Sequence, residues 1–489
     1  MSALLLAIDI GTTGVRAALF DARGKLVADA SSPAGPDAPE PGWAEADAER
    51  WWRMVCRLLE DLGREARLDA VAGVAVCGQA PTAVLVDEAG RAIAPAILWL
   101  DTRADVEAAA LGSQAYYLGP KLAWLAKHRP ESLARARWVL QSHAFVAQKL
   151  TGEVATDPST AALCAPLFDL ARRRWDEEAC ARVGIRPALL PPVRRAEEVL
   201  GEVTAEAARA TGLRAGTPVV VGGGDFAAAT LGTGVIEEGE ACLMLGTAGN
   251  LLVPRRTPGT DARLINAHHV GTDAWLSLGG TLAGGAQEWL RHAVARGSTG
   301  ADTAVRGPLP AFEALEAEAS SVPVGSDGLV FLPYLQGERT PIWDVDARGA
   351  YVGLGLGHGR GHLWRALLEG IALSFVDCQA VLEEGGVVLR EVVAANGGGK
   401  SPLFRQILCD ALGVPLVYMP GASGTVAGAA ILAGLGVGVF EDARAARGWR
   451  GETVRHEPDP AATAAYRARL AVRREIYASL RGIFPKLAR

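Results

Sequence analysis

The chain opens with a continuous apolar run, Leu4 to Ile8, followed by Asp9 and a turn of Gly11-Thr12-Thr13-Gly14; Val15 to Phe20 then resumes a mostly apolar pattern. Two short apolar runs around a Gly- and Thr-rich turn predict a β-hairpin, which the polar Asp21-Ala22-Arg23-Gly24 brings to an end. Ala46 to Leu62 is helix-like, Ala70 to Cys77 and Ala83 to Asp87 are strand-like, and Gln141 to Leu150 reads as helix again. This mixture predicts an α/β architecture. A similar device returns in the second half. Pro218 to Val221 is strand-like and runs into Gly222-Gly223-Gly224-Asp225. Ala241 to Leu245 then leads into Gly246-Thr247-Ala248-Gly249-Asn250 and the apolar Leu251-Leu252-Val253. The chain thus carries two copies of a strand, Gly-Thr turn, strand unit, with 232–240 as the crossover between halves. The tail from Ala465 has helical spacing, with Tyr466, Leu470, Ile476 and Leu480 as its apolar markers.

Length and composition narrow the class. At 489 residues the chain is too long for one hydrophobic core, so two or three domains are expected. A net charge of −6 gives no electrostatic reason for a nucleic-acid or acidic-membrane partner. Short basic runs such as Arg172-Arg173-Arg174 read as solvated helix faces. Seven cysteines without a CxxC pair argue against a disulfide framework or a zinc site and suit a reducing compartment. The apolar opening is too short, and lacks the basic lead, for a signal peptide or membrane span. A cytoplasmic location is therefore expected.

The candidate chemistry sits at the glycine turns. Asp9 and Asp225 lie at the ends of apolar strands, where a carboxylate is aimed into the crevice that gathers ligands in α/β proteins. The other reading is a turn-forming Asp capping its own backbone, and for Asp9 alone the two readings are even. The duplicated Gly-Thr turns favour the first reading, because phosphates need exposed backbone amides and nearby hydroxyls. A third cluster, Asn396-Gly397-Gly398-Gly399-Lys400-Ser401, follows the strand-like Glu391 to Ala395 and opens the helix Pro402 to Leu412. It reads either as a close approach for a flat ring or phosphate, or as a tight packing turn. It lacks GxxxxGK[ST] spacing, and no GxGxxG clearly opens a βαβ unit, which argues against P-loop and dinucleotide sites.

This arrangement resembles the FGGY carbohydrate kinases, of the actin–hexokinase–heat-shock ATPase fold, and among them the xylulokinase-like members. Ile8 through Gly14 resembles the family's first phosphate motif and Gly246-Thr247 the second. Gly222-Gly223-Gly224-Asp225 resembles the segment bearing the catalytic aspartate. Lys121 through His128 and Gly349 through Glu369 resemble the two family signatures. Gly337-Glu338-Arg339-Thr340-Pro341 and Pro41-Gly42-Trp43-Ala44-Glu45 are similar to xylulokinase segments. The resemblance implies two actin-like (ribonuclease H-like) domains flanking a nucleotide and sugar cleft. Residues 1–234 would hold the sugar side, the first phosphate motif and the catalytic Asp; residues 235–489 would hold the nucleotide. It implies Asp225 as general base, and Asp9 as a holder of Mg²⁺ through water. Gly11, Thr12, Thr13, Gly246 and Thr247 would cradle the ATP phosphates. Gly284 would stand at a helix start, and Gly398 and Gly399 would line the nucleotide. The implied partner is a small sugar or polyol, with a homodimer left open.

The sugar side departs from the pattern. Xylulokinases typically carry Gln-Met-His-Gly where this chain has Gln79-Ala80-Pro81-Thr82, and the often amide-bearing residue after the base is Phe226. Each lost polar contact leaves a sugar hydroxyl unpaired at about 1–3 kcal/mol. Gln79, Asp101 and Tyr116 remain as hydroxyl partners; Asp101 reads equally as a salt bridge to Arg103 or a helix cap, and Phe226 as core. The leading expectation is an ATP-dependent kinase converting D-xylulose to D-xylulose 5-phosphate. Ribulose, gluconate, glycerol and erythritol are the alternative acceptors, and an actin-like ATPase or a non-catalytic sugar-binding regulator the alternative classes.

Overall fold

The computed structural model describes residues 3–295, 309–395, 397–421 and 424–487. Two mixed sheets of matching topology organise the chain, as an α/β fold requires. In the first, β1 (Leu4–Ile10), β2 (Gly14–Asp21) and β3 (Leu26–Pro33) form an antiparallel meander. β4 (Val71–Gly78) then pairs parallel to β1, and β5 (Val199–Glu202) and β6 (Pro218–Val220) complete the order β5-β6-β4-β1-β2-β3. In the second sheet, β7 (Glu240–Leu245), β8 (Ala248–Arg255), β9 (Ile265–His268) and β10 (Trp275–Leu282) are antiparallel neighbours. β11 (Glu391–Ala395) pairs parallel to β7, β12 (Leu416–Tyr418) parallel to β11, and β13 (Val454–His456) antiparallel to β12. Each sheet therefore has an antiparallel meander on one side of its first strand and parallel strands on the other.

Both sequence-read hairpins form, with sharper limits. The first turn spans three residues between Ile10 and Gly14, closed by Gly11 N–H donating to Gly14 O at 2.9 Å. The second is tighter: only Gly246 and Thr247 separate β7 from β8, so Ala248-Gly249-Asn250 belong to the strand. Helix α1 (Ala48–Glu65) begins two residues later than its spacing predicts. Glu45–Ala46 is a short strand paired to Ala96–Ile97, and the Asp47 side chain caps the helix by accepting from Glu49 N–H. Helices α2 (Leu118–His128) and α3 (Ser142–Thr151) follow, and α4 (Asp225–Gly232) starts at the predicted catalytic residue. In the second half lie α5 (Gly284–Ala295), α6 (Arg360–Glu384), α7 (Pro402–Leu412), α8 (Gly424–Gly436) and α9 (Pro460–Leu480). Helix α9 starts five residues ahead of the Ala465 expected from its apolar markers, with Pro460 in its first turn after the capping Asp459.

The halves are not separate bodies. Leu6, Ile8 and Trp51 belong to a core built within the first half, and Phe331, Trp364 and Phe404 to one within the second. A third core joins them: Leu5, Ala75 and Val220 of the first sheet pack with Ile431 and Leu432 of α8 and with Leu231 of α4. Helices α4 and α8 cross backbone to backbone, because a Cβ on Gly428 would collide with Ala228 O and one on Gly232 with Gly424 O. Small residues at the crossing permit this approach. No described helix is long and apolar enough to cross a membrane.

Candidate active site

Strand register assembles the first half of the site. Ile10 stands opposite Gly78, and Gly78 opposite Gly224, on three adjacent parallel segments. The residues just beyond them (Gly11, Gln79 and Asp225) therefore emerge together at one edge of the sheet, with Asp9 one step behind. Gln79 N–H donates to Ile10 O at 2.9 Å, and its Nε2 donates to Gly11 O at 3.3 Å, which ties the second strand to the first turn. Gly222 has φ +77°, and a Cβ there would run into Val76 O, so this bend needs glycine. Gly224 N–H then donates to Ser159 Oγ at 3.2 Å and Asp225 opens α4.

The two carboxylates are half-buried, and the charge of Asp225 acts on Asp9. Asp9 Oδ1 is buried and has no hydrogen-bond partner among the described residues. Burial, reinforced by the charge of Asp225 and opposed by Arg16, pushes the Asp9 carboxyl up to about 8. Burial pushes Asp225 up to about 7, partly countered by the Phe226 N–H donated to its Oδ1 at 2.7 Å. A base near 7 is poised to take a proton from an alcohol at neutral pH.

The phosphate turns are held open. Thr13 is exposed, while Thr12 Oγ1 accepts a hydrogen bond from Trp99 Nε1 at 2.9 Å. On the other side Gly246 and Thr247 are exposed, and the start of α5 is strapped to them. Gly284 N–H donates to Gly246 O at 3.0 Å and Gly285 N–H to Thr247 O at 3.0 Å. A Cβ on Gly284 would lie 2.6 Å from Gly246 O, so that strap admits only glycine. The third cluster joins the same place, because Met244 of β7 pairs with Ala395 of β11. Gly398 packs on Leu245 (2.8 Å from a Cβ position to Leu245 Cβ) and Gly399 on the Tyr418 ring. The Cα hydrogens of these two glycines thus face the protein's own atoms, as a tight packing turn requires; Asn396 lies outside the described residues.

On the acceptor side the sequence expectations divide. Asp101 is not a free hydroxyl partner. It is fully buried, with Oδ2 accepting from Ala44 N–H at 2.6 Å and both oxygens engaged by Arg103. Two arginine N–H groups and two backbone amides fill its acceptor capacity, so the salt-bridge reading holds. Phe226 folds back over Gly224 and belongs to the shared core. Ala80 and Pro81 are buried as well. Gln79 is 1% exposed, and its Oε1 is buried without a partner among the described residues. Tyr116 is half-buried; its hydroxyl is pushed up to about 12, chiefly by burial, with Arg339 and Asp225 both acting on it.

Three residues absent from the sequence-read site shape this wall. Trp99 packs edge-on against Tyr116 at 6.2 Å and reaches Thr12 through its indole N–H. Lys121, fully buried, donates from Nζ to Tyr116 O at 3.0 Å and to Ala115 O, fixing the segment that carries Tyr116. Burial drives its ammonium down to about 7. The third is Arg339, from the second half, whose guanidinium lies 5.4 Å from the Trp99 ring centre and 5.7 Å from that of Tyr116. A Trp two residues before a conspicuous Asp was the available signal for Trp99; the other two depend on packing between distant segments.

Comparison with known proteins agrees with this arrangement. The FGGY family of carbohydrate kinases, N-terminal domain, matches residues 4–232, and the family's C-terminal domain matches 241–437. The chain is 31% identical over 447 residues to xylulose kinase of Escherichia coli (strain K12), covering 88% of this chain and 89% of that protein. It is 35% identical over 492 residues to glycerol kinase of Aromatoleum aromaticum, covering 93% and 94%. The crystal structure of xylulose kinase from Rhodospirillum rubrum superposes with a TM-score of 0.87 at 33% identity, over 98% of this chain and 99% of that one. Two matching sheets, a carboxylate pair at one strand edge and family models spanning both halves lead to one conclusion: the chain belongs to the FGGY family of carbohydrate kinases and is an ATP-dependent sugar kinase.

Proposed function

We propose that the chain transfers the terminal phosphate of ATP to a small ketose, with D-xylulose to D-xylulose 5-phosphate as the first assignment and Asp225 as the general base. The observation that carries the base is the half-buried Asp225 carboxylate, poised near 7 at the strand edge it shares with Gly11 and Gln79. In the step, Asp225 accepts the proton of the acceptor hydroxyl while that oxygen bonds to the terminal phosphorus. The bond from that phosphorus to the bridging oxygen breaks, and ADP leaves. Such transfer relies on positioning and charge neutralisation rather than covalent protein chemistry. Gly11, Thr12, Thr13, Gly246 and Thr247 present amides and hydroxyls for the phosphates, and residues 1–234 and 235–489 act as the sugar and nucleotide sides. Gly284 supports the second turn from the start of α5, while Gly398 and Gly399 act beneath the nucleotide through packing.

A magnesium ion suits the residues present. The unpartnered, buried Asp9 oxygen is the kind of donor that Mg²⁺ takes together with waters and phosphate oxygens. When bound, the ion would offset the negative charge of the phosphates. Asp9 would hold it through water, and the nearby positive charge would keep Asp9 ionised.

Support for a ketopentose comes from relatives that are xylulose kinases. A second reading, another acceptor such as glycerol, gluconate, ribulose or erythritol, is favoured by the apolar Ala80 and Pro81 and by the 35% identity to a glycerol kinase. A coupled ADP-release screen over pentuloses, pentitols, glycerol and aldonates decides between them. The first assignment requires D-xylulose to give the highest kcat/KM; a tenfold preference for any other acceptor replaces it.

A further inference from the structure

Arg339 projects from a loop whose neighbours are all fixed. Glu338 is buried, its carboxylate accepting from Thr281 Oγ1 at 2.6 Å and from the Arg339 backbone N–H at 2.9 Å. Thr340 is buried too, its hydroxyl bonded to both N and O of Gly280. Gly337 has φ +75°, and a Cβ there would lie 2.8 Å from Val345 O. The residues on both sides of Arg339 are thus tied down while its own side chain is left half-exposed.

That side chain reaches the opposite half of the molecule. Its guanidinium stands over Trp99 and Tyr116, two half-buried rings of the acceptor wall, and a Cβ on Gly280 would be 3.2 Å from Nη2. Among the described residues its guanidinium makes no hydrogen bond or ion pair with a carboxylate or carbonyl; it stands over these aromatic rings and beside Gly280. The nearest carboxylate in sequence, Glu338, is engaged by the Thr281 hydroxyl and by the Arg339 backbone N–H rather than by the guanidinium. Five N–H donors, over two rings and without an oxygen partner among the described residues, form a fork that matches two adjacent oxygens on a ligand. The same wall has lost polarity at Ala80 and Pro81, and Phe226 is folded into the core.

We infer that Arg339 is the specificity-determining residue of the acceptor site, its guanidinium binding a pair of adjacent oxygens on the acceptor across the cleft from Asp225. This rests on the proposed kinase reading. The oxygens are either hydroxyl and carbonyl groups of a ketose or the carboxylate of an aldonate, and the cation–π contacts hold the fork in place for both. Through Trp99, whose indole N–H is bonded to Thr12, the acceptor wall also touches the first phosphate turn.

Steady-state kinetics of Arg339→Lys and Arg339→Gln test this, with ATP, D-xylulose and D-gluconate varied in turn. The expected result is a rise of roughly 10- to 100-fold in acceptor KM, with ATP KM and kcat within threefold of wild type. Arg339→Lys keeps the charge and guards against a folding defect, yet loses the fork and is expected to be impaired as well. A loss confined to gluconate identifies a carboxylate as the bound group; a loss on xylulose identifies hydroxyl and carbonyl oxygens. An unchanged acceptor KM overturns the inference, and so does an equal rise in ATP KM, which marks a structural contact between the halves. A wild-type protein that releases ADP with no acceptor at all sinks the kinase reading itself, and the inference with it. Wild-type turnover combined with an unaffected variant sinks the inference alone.

Discussion

Replacing Asp225 by Asn is expected to stabilise the protein while removing its base. The Asp225 carboxyl is raised from 3.8 to about 7, chiefly by burial. In the unfolded chain it ionises near 3.8, so between about pH 4 and 7 unfolding releases a proton that the folded state retains. For a raised carboxylate, the stability this group contributes is fully present below its unfolded value and is lost as pH rises through the folded one. The accumulated loss above pH 7 is about 4 kcal/mol, from about 1.4 kcal/mol per pH unit. Asn cannot ionise, and it keeps an oxygen to accept the Phe226 N–H. Its new amide N–H groups need partners in a buried site, which offsets about 1–2 kcal/mol. A net gain of about 2 kcal/mol remains, or roughly 2–4 °C in Tm for a chain of this length. Thermal melts of wild type and Asp225→Asn from pH 4.5 to 8.5 read it directly. The two should coincide near pH 4.5, separate as pH rises, and run parallel above 7. A variant that melts below wild type at pH 8 would refute the claim that this carboxylate is held in an unfavourable, half-buried position.

Three further outcomes follow from named contacts. Because the base must be ionised, kcat/KM for the acceptor should climb with pH and level off above about 7; a flat profile from pH 5.5 to 8.5 contradicts the Asp225 environment. Gly428→Ala should cost about 1–3 kcal/mol despite the better helix propensity of Ala, since the added methyl meets Ala228 O; a raised Tm would show that α4 and α8 do not touch there. Trp99→Phe keeps an aromatic face for Arg339 but deletes the N–H donated to Thr12. The loss of about 1 kcal/mol should raise ATP KM roughly fivefold, and an unaltered KM would detach Trp99 from the phosphate turn.

The features legible in the sequence were those encoded by local chemistry. Gly11 to Gly14 and Gly246-Thr247 announce their hairpins because turn residues interrupt apolar runs; Asp9 stands beside the first turn, and Asp225 follows the glycine run Gly222 to Gly224. The second turn is nonetheless shorter than its Gly-rich sequence suggests, since cross-strand pairing draws Ala248 to Asn250 into β8. Glu45 and Ala46 continue the helical pattern of α1 yet pair with Ala96 and Ile97, and the Asp47 cap decides where the helix begins. Asp101 resembles a ligand residue in sequence; only the fold shows Ala44 N–H and Arg103 filling its oxygens. Arg339 and Lys121 were illegible as site residues for a related reason. Their surroundings come from segments far apart in the chain, and no periodicity records such a meeting. The packing of α8 on the first sheet is likewise a tertiary fact: its apolar, Ala- and Gly-rich sequence marks burial without naming the surface that buries it.

The base assignment is tested most directly by acceptor-dependent ADP release and nucleotide binding measured side by side in wild type and Asp225→Asn. If Asp225 takes the proton of the attacking hydroxyl, turnover falls by roughly 10²-fold or more while the ATP dissociation constant stays within about threefold. Turnover at the wild-type rate in the variant would contradict that role for Asp225.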